Sequence, residues 1–347
     1  MAEADRRDPV LLVADVGGTH VRFALACHGR LLTEPRQRAR RESRDLAGAC
    51  QDFLADHAGG VRIDGAAIAA AGRLQGERIE MTNADWSVDA GRLAGDLGLR
   101  RVDVLVLNDF GALARALPTL AADEQLPIPG GARALAGVVP ADGAAHGHRV
   151  VVGPGTGLGV AALLRTPAGW YPLATEGGHA SLAPESPLER AAADLAARRF
   201  GRASWERLLS GTGLALLHAV ARAQAGEPPV AEDPAATVAA CLRGEPSAIR
   251  AARAFVELLG AFAGDLALLY DAGGGVVIAG GIVPRIAEAL PLDGLRTRFE
   301  AKGRFSDWLA TVPLTRLATP AAALRGAALA WTDRAATFAL PDPAVRR

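Results

Sequence analysis

Five short apolar runs constrain this chain more than any other feature: residues 10–14, 66–71, 102–107, 150–152 and 276–279, each bounded by glycine or polar turns. Runs of that length read as buried strands. Longer amphipathic segments lie between them. Residues 43–57 set Leu46, Ala49, Cys50, Phe53 and Leu54 on one helical face, and residues 251–270 do the same with Phe255, Leu258, Leu259, Phe262, Leu266 and Leu269. Strands mixed with helices in this way predict an α/β protein. A chain of 347 residues, 50% apolar, buries a large core and is expected to form two domains. Residues 126–148, rich in Pro, Gly and Ala, read as a surface excursion after the first domain, and 226–234 as a loop between helices.

Composition excludes several partners. Lysine plus arginine equals aspartate plus glutamate at 38 each, so no global field recruits nucleic acid or a membrane. Cys27, Cys50 and Cys241 are far apart and form no CxxC pair and no zinc-ligand cluster in sequence, which predicts free thiols in a reducing compartment. The run at 10–14 is too short for a signal-peptide core, and no other stretch would span a bilayer. A soluble, cytoplasmic protein is expected.

The residues able to carry chemistry cluster at strand ends. Ala14, Asp15, Val16, Gly17, Gly18 and Thr19 close the first strand with a glycine turn whose amides can point at phosphate oxygens. Asp15 can hold a hydrated Mg²⁺ through water; an ordinary hairpin turn accounts for the same residues. Gly155, Thr156 and Gly157, inside the run Gly153-Pro154-Gly155-Thr156-Gly157-Leu158-Gly159, offer a second cradle. Each glycine turn precedes another apolar strand, at 21–26 and 158–164, a weak internal echo. Lys302 is the only lysine and no Walker lysine exists, so any nucleotide must be held without one.

Asn108 and Asp109 follow the third strand. The carboxylate is placed to accept a proton from an attacking hydroxyl and the amide to donate to or accept from another, or else Asp109 caps a helix at 111–117. Glu176 and His179, separated by two glycines, can converge on one polyhydroxylated ligand or form a solvated glycine turn. Glu206 in Glu206-Arg207-Leu208-Leu209-Ser210-Gly211 offers a further carboxylate within what also reads as connector chemistry. Gly280 and Gly281 end the last strand and leave bare backbone against which a flat adenine ring could slide.

The order and spacing of these motifs resemble the bacterial glucokinase family, within the sugar-kinase and actin-like ATPase superfamily. The resemblance rests on DVGGT, MTNADW at 81–86, NDF at 108–110, GTGLGVA at 155–161, EGGH at 176–179, ERLLSG at 206–211, IAGGIVPR at 278–285 and KGRF at 302–305, and runs from about Leu11 to Gly326. It implies two actin-like, ribonuclease H-like α/β domains with mixed sheets around an interdomain cleft, residues 1–118 plus 317–347 and residues 119–316. It implies ATP and Mg²⁺, transfer to the 6-hydroxyl of glucose, and a homodimer. Asp109 takes the place of the base. Asn108, Glu176, His179 and Glu206 take those of sugar partners, residues 14–19 and 155–157 those of two phosphate loops, and Gly280 and Gly281 lie near the adenosine. The sequence departs from the family at His20, where asparagine is usual, at Pro154, and in the segment 318–325. A kinase for mannose, fructose or glucosamine, or a silent sugar sensor, are the alternatives.

Overall fold

A computed structural model describes residues 8–81, 86–130 and 147–337. The chain divides into two compact units, Met1–Thr119 with Thr319–Arg347, and Leu120–Ala318.

The first unit is built on β1 (Leu11–Val16), β2 (His20–Cys27), β3 (Arg30–Leu31), β4 (Arg36–Ala39), β5 (Gly65–Ala70) and, further along the chain, Val104–Asn108. A small antiparallel sheet of β6 (Leu74–Gln75), β7 (Arg78–Glu80) and β8 (Ser87–Asp89) precedes that last strand, which is therefore β9. Its helices are α1 (Leu46–His57), α2 (Ala90–Asp96), α3 (Asp109–Ala116) and the C-terminal helix Ala322–Thr337. The main sheet runs β3-β2-β1-β5-β9 with β4 also on β2; β1, β5 and β9 are parallel, and β2 is antiparallel to β1.

Alternation along β1 shows why it is buried on both faces. Leu11 and Val13 join Ala67, Ala69, Ala112, Leu324 and Ala328 on one side, while Leu12, Ala14 and Val16 join Phe23, Ile68, Cys50 and Phe53 on the other. The helix expected over 43–57 starts at Leu46, because the Asp45 carboxylate caps it by accepting from Gly48 N at 2.9 Å. The strand expected over 102–107 starts two residues later. Arg101–Asp103 form a turn in which Val102 is 67% exposed and Arg100 Nε holds the Asp103 carboxylate at 2.6 Å.

The second unit carries β10 (Gln125–Pro127), β11 (Arg149–Pro154), β12 (Leu158–Thr166) and β13 (Gly169–Thr175). These are followed by α4 (Pro187–Phe200), α5 (Trp205–Leu208), α6 (Gly211–Gln224), α7 (Pro234–Leu242) and α8 (Pro246–Leu269). Then come β14 (Val276–Ile278), α9 (Ile282–Ala287), α10 (Asp293–Glu300) and β15 (Leu314–Leu317). The sheet order is β10-β15-β14-β11-β12-β13, again mixed. The surface excursion expected over 126–148 is corrected at its start, where Leu126 and Pro127 pair with Arg316 and Thr315; residues 131–146 lie outside the described residues. The loop at 226–234 is present up to Asp233, whose carboxylate caps α7.

Helix α8 is the spine of this unit and starts five residues earlier than expected. Phe255, Leu258, Leu259, Phe262 and Leu266 are buried as the periodicity predicts, but Leu269 ends the helix 76% exposed. Gly260 and Gly264, one turn apart, let α10 approach: a β-carbon on either would sit 2.1 Å from Leu295 O or 2.5 Å from Phe299 O. Among the described residues no helix is long and apolar enough to cross a membrane.

In the first unit the C-terminal helix depends on the same device. A β-carbon at Gly326 would lie 1.8 Å from the backbone oxygen of Ala112 in α3. Backbone cannot yield as a flexible side chain does, so Gly326→Ala is expected to cost about 1–3 kcal/mol through overpacking. Thermal and urea denaturation check this; an unchanged midpoint would show that the two helices separate freely.

Candidate functional site

Both glycine-rich turns are hairpins built alike. Val16 pairs with Val21 and Pro154 with Leu158, and in each case the first strand also pairs in parallel with a buried neighbour, β5 or β14. The echo seen in sequence is therefore one of topology.

In the first unit, Ala14 and Val16 are fully buried and leave only their main chain for a ligand. Asp15 stands directly opposite Arg22 in the β1–β2 register, with Arg22 Nη1 donating to Asp15 Oδ2 at 3.1 Å. Burial pushes the Asp15 carboxyl above the ordinary carboxylate range, and the guanidinium pulls against that. In the turn, Gly17 N donates to His20 O at 2.9 Å, and the Thr19 hydroxyl shares a 2.9 Å hydrogen bond with His20 Nδ1. His20, the departure noted in sequence, thus braces the loop from its far end.

Asp109 does not cap α3, and that reading is corrected by one residue. Asn108 keeps the extended backbone of β9 and is the N-cap, its Oδ1 accepting from Gly111 N at 2.9 Å and its Nδ2 donating to Gly72 O at 3.0 Å. An amide offers two donors and two lone pairs, so one of each stays available for a ligand. Asp109 is the first helical residue, half-buried, with Oδ1 accepting from Phe110 N at 2.9 Å. Helix amides favour negative charge at this position.

In the second unit, the fold gathers three side chains that sequence places up to 30 residues apart. His179 Nε2 lies 3.8 Å from Glu176 Oε2, and His179 Nδ1 lies 3.8 Å from Glu206 Oε1. Glu206 also reaches the glycine hairpin, where its Oε2 accepts from Leu158 N at 3.0 Å. A β-carbon at Gly157 would sit 2.6 Å from that oxygen, so a larger residue there would push the carboxylate away from Leu158 N. Gly178 is pressed against Leu158 O in the same way, at 2.3 Å from a notional β-carbon. Glu176 and His179 remain more than half exposed, with 58% and 54% of their side chains accessible. A carboxylate, an imidazole and a second carboxylate thus offer acceptors and a switchable donor to one polyhydroxylated molecule.

The remaining predicted residues border the same hairpin. Gly155 N donates to Gly157 O at 2.8 Å, Gly211 N donates to Gly155 O at 2.9 Å, and Thr156 is exposed at the tip. Ser210 caps α6 by accepting from Gly213 N, so the connector reading of this segment holds alongside the placement of Glu206. Gly280 adopts φ +88°, which favours glycine, and a β-carbon there would meet Pro154 O at 2.3 Å; Gly281 follows as the N-cap of α9.

Sequence reasoning missed two groups. Arg22 and Arg40, which brace the first loop, carry no motif. Asp8, Cys27 and His28 also converge, their donor atoms all within 4.8 Å of one another, although spacing had suggested no such cluster. An exposed hydrogen bond between His28 Nε2 and Asp8 Oδ1 at 3.0 Å accounts for part of it. All three cysteines are free thiols.

A family model described as Glucokinase matches residues 12–334. The curated glucokinase of Paramagnetospirillum magneticum is 40% identical over 326 residues, covering 93% of this chain and 98% of its own length. That of Aromatoleum aromaticum is 41% identical over 323 residues, covering 92% and 93%. The crystal structure of a glucokinase from an Antarctic psychrotroph superposes with a TM-score of 0.75 at 29% identity, covering 94% of this chain and all of that one.

The two hairpin glycines should respond differently to a methyl group. Gly155 has open space around it, whereas Gly157 abuts the Glu206 carboxylate. Gly157→Ala is expected to cost about 0.5–1.5 kcal/mol by displacing the Glu206 carboxylate from Leu158 N, and Gly155→Ala less than about 0.5 kcal/mol, compared by thermal denaturation. Equal midpoints would mean that Glu206 does not press on the loop.

Proposed function

The chain belongs to the glucokinase family, and from that premise we propose that it transfers the terminal phosphoryl group of ATP to the 6-hydroxyl of glucose. The observation that carries the sugar assignment is the convergence of Glu176, His179 and Glu206 on one another. Every sugar hydroxyl both donates and accepts, and a mixed set of acceptors and donors answers that requirement.

Each unit has its share of the work. In the second, Glu176, His179 and Glu206 hold sugar hydroxyls, while Gly155, Thr156 and Gly157 receive phosphate and Gly280 and Gly281 border the adenosine. In the first, Asn108 holds a further hydroxyl through its remaining donor and lone pair. The Asp109 carboxylate takes the proton of the 6-hydroxyl as that oxygen attacks the γ-phosphorus. The bond from the γ-phosphorus to the bridging oxygen breaks, and ADP leaves with its electron pair. Phosphoryl transfer asks the protein for positioning and charge stabilisation rather than covalent chemistry, so main-chain cradles and one base suffice.

The residues present fit a magnesium ion held through water. Asp15 is a hard oxygen donor at a strand end, and its negative charge is shared with Arg22. A carboxylate so paired suits an outer ligand, and Mg²⁺ keeps several of its waters. When bound, the ion neutralises phosphate charge. Residues 14–19 would hold phosphate through main-chain amides and the Thr19 hydroxyl.

A coupled assay with ATP, Mg²⁺ and a panel of glucose, mannose, fructose and glucosamine tests the reading. Glucose should be fastest, and Asp109→Ala should lower kcat by about a hundredfold to ten-thousandfold while calorimetry still detects sugar binding. No product from the wild-type chain, or equal rates from the variant, would overturn it. Asp15→Asn should raise the Mg²⁺ concentration for half-maximal rate by about tenfold or more; an unchanged requirement would remove Asp15 from the metal's surroundings.

A further inference from the structure

Arg40 stands at the end of β4, outside every motif, yet three of its groups act on the first glycine loop or beside it. Its Nη1 donates to Gly18 O at 2.6 Å, its own backbone N donates to Thr19 O at 3.0 Å, and its guanidinium lies over the Trp86 ring at 4.7 Å. Its Nε is buried with no hydrogen-bond partner, and among the described residues it has no carboxylate within ion-pair distance. Arg22 next to it differs, because its charge is matched by Asp15.

We propose that Arg40 is a positioning residue for the phosphate chain of a nucleoside triphosphate, acting by fixing two successive peptide planes of the loop. This rests on the reading of residues 14–19 as a phosphate site given above. A trans peptide is planar, with its C=O and N–H pointing in opposite directions. Pinning Gly18 O therefore aims Thr19 N–H away from Arg40, and pinning Thr19 O does the same for the N–H of His20. Gly17 N is already spent on His20 O, whereas the amide of Thr19 has no main-chain acceptor among the described residues. Thr19 N–H, which Arg40 orients, is thus a donor that the turn leaves for an anion.

Charge adds to geometry. A guanidinium bonded to a carbonyl oxygen polarises that peptide and strengthens its N–H as a donor on the other side. Since no carboxylate offsets Arg40 among the described residues, the pair Asp15–Arg22 is neutral and the loop region carries one extra positive charge. Stacking on Trp86 holds the planar group in place, which an ammonium could not copy.

Steady-state kinetics on the full chain, with ATP and glucose varied separately, test this on wild type, Arg40→Lys and Arg40→Ala. We expect KM for ATP to rise about tenfold or more in Arg40→Ala, the scale of one charge-assisted hydrogen bond. KM for glucose should stay within about twofold, and Arg40→Lys should fall between the two. Thermal midpoints are measured in parallel. Unchanged KM for ATP in Arg40→Ala overturns the inference. So does an equal rise in both KM values with a lowered midpoint, which is the signature of a merely structural role. Should Arg40→Ala not fold, the same KM split in Arg40→Lys, or its absence, decides the matter.

Calorimetric titration with Mg·ATP separates this inference from the reading beneath it. If the wild-type chain turns over no glucose yet binds Mg·ATP, and Arg40→Ala weakens that binding, Arg40 keeps its role and the glucose assignment falls. If the wild type binds no Mg·ATP, both fall.

Discussion

With one lysine and no Walker motif, the proposed reception of polyphosphate falls to main-chain amides, and the strands that carry both candidate loops are built alike. Main-chain amides make a precise cradle only if the strands bearing them cannot shift. Both β1 and β11 meet this need in the same way, hydrogen-bonded on one side to the returning arm of a hairpin and on the other to a parallel strand. Their side chains are sunk into core on both faces, from Leu11 to Ala14 and from Val150 to Val152, all fully buried. A slip of one residue would turn every one of these side chains to the opposite face. The turn at the strand end therefore inherits its position from the sheet.

Space is the second requirement, and glycine supplies it where backbones meet. In the second unit, three segments distant in sequence touch the same hairpin only because a β-carbon is missing: Gly157 beside Glu206, Gly178 against Leu158 O, and Gly280 against Pro154 O. The last two contacts fix main chain against main chain. The Glu206 side chain is then held by the hairpin amide it accepts from. The Glu206 carboxylate, accepting from Leu158 N, ties the sugar-binding cluster to the second loop by a charge-assisted bond. On the proposed reading, the sugar and phosphate partners of this unit are thereby joined through one hydrogen bond.

Most of the strands were legible because their apolar runs leave no alternative to burial, and the principal helices because their periodicity repeats over several turns. Boundaries were less so. Leu269 satisfies the helical pattern and is still exposed, since periodicity does not say where the packing partner ends. Asp109 and Asn108 are equally good caps in sequence; the backbone turns into helix after Asn108, and only coordinates reveal that. The proximity of Glu206 to Leu158 spans 48 residues, a contact that no local rule encodes. Arg40 was invisible for a different reason. It acts on backbone oxygens, which every residue possesses, so its partners leave no trace in residue identity.

The two hairpins share a topology but are braced with opposite charge, and the difference has a chemical consequence. A cation grips the Gly18 carbonyl oxygen at the first, while a carboxylate occupies an amide at the second, Leu158 N. Holding carbonyls turns N–H groups outward and makes them better donors, whereas a carboxylate on an amide removes a donor and brings negative charge close. Donor capacity at the second loop then rests on Thr156 and the exposed tip, and its local field is the less favourable to an anion. Of the two candidate loops the first has the more favourable local field for an anion, while the second is tied to Glu206.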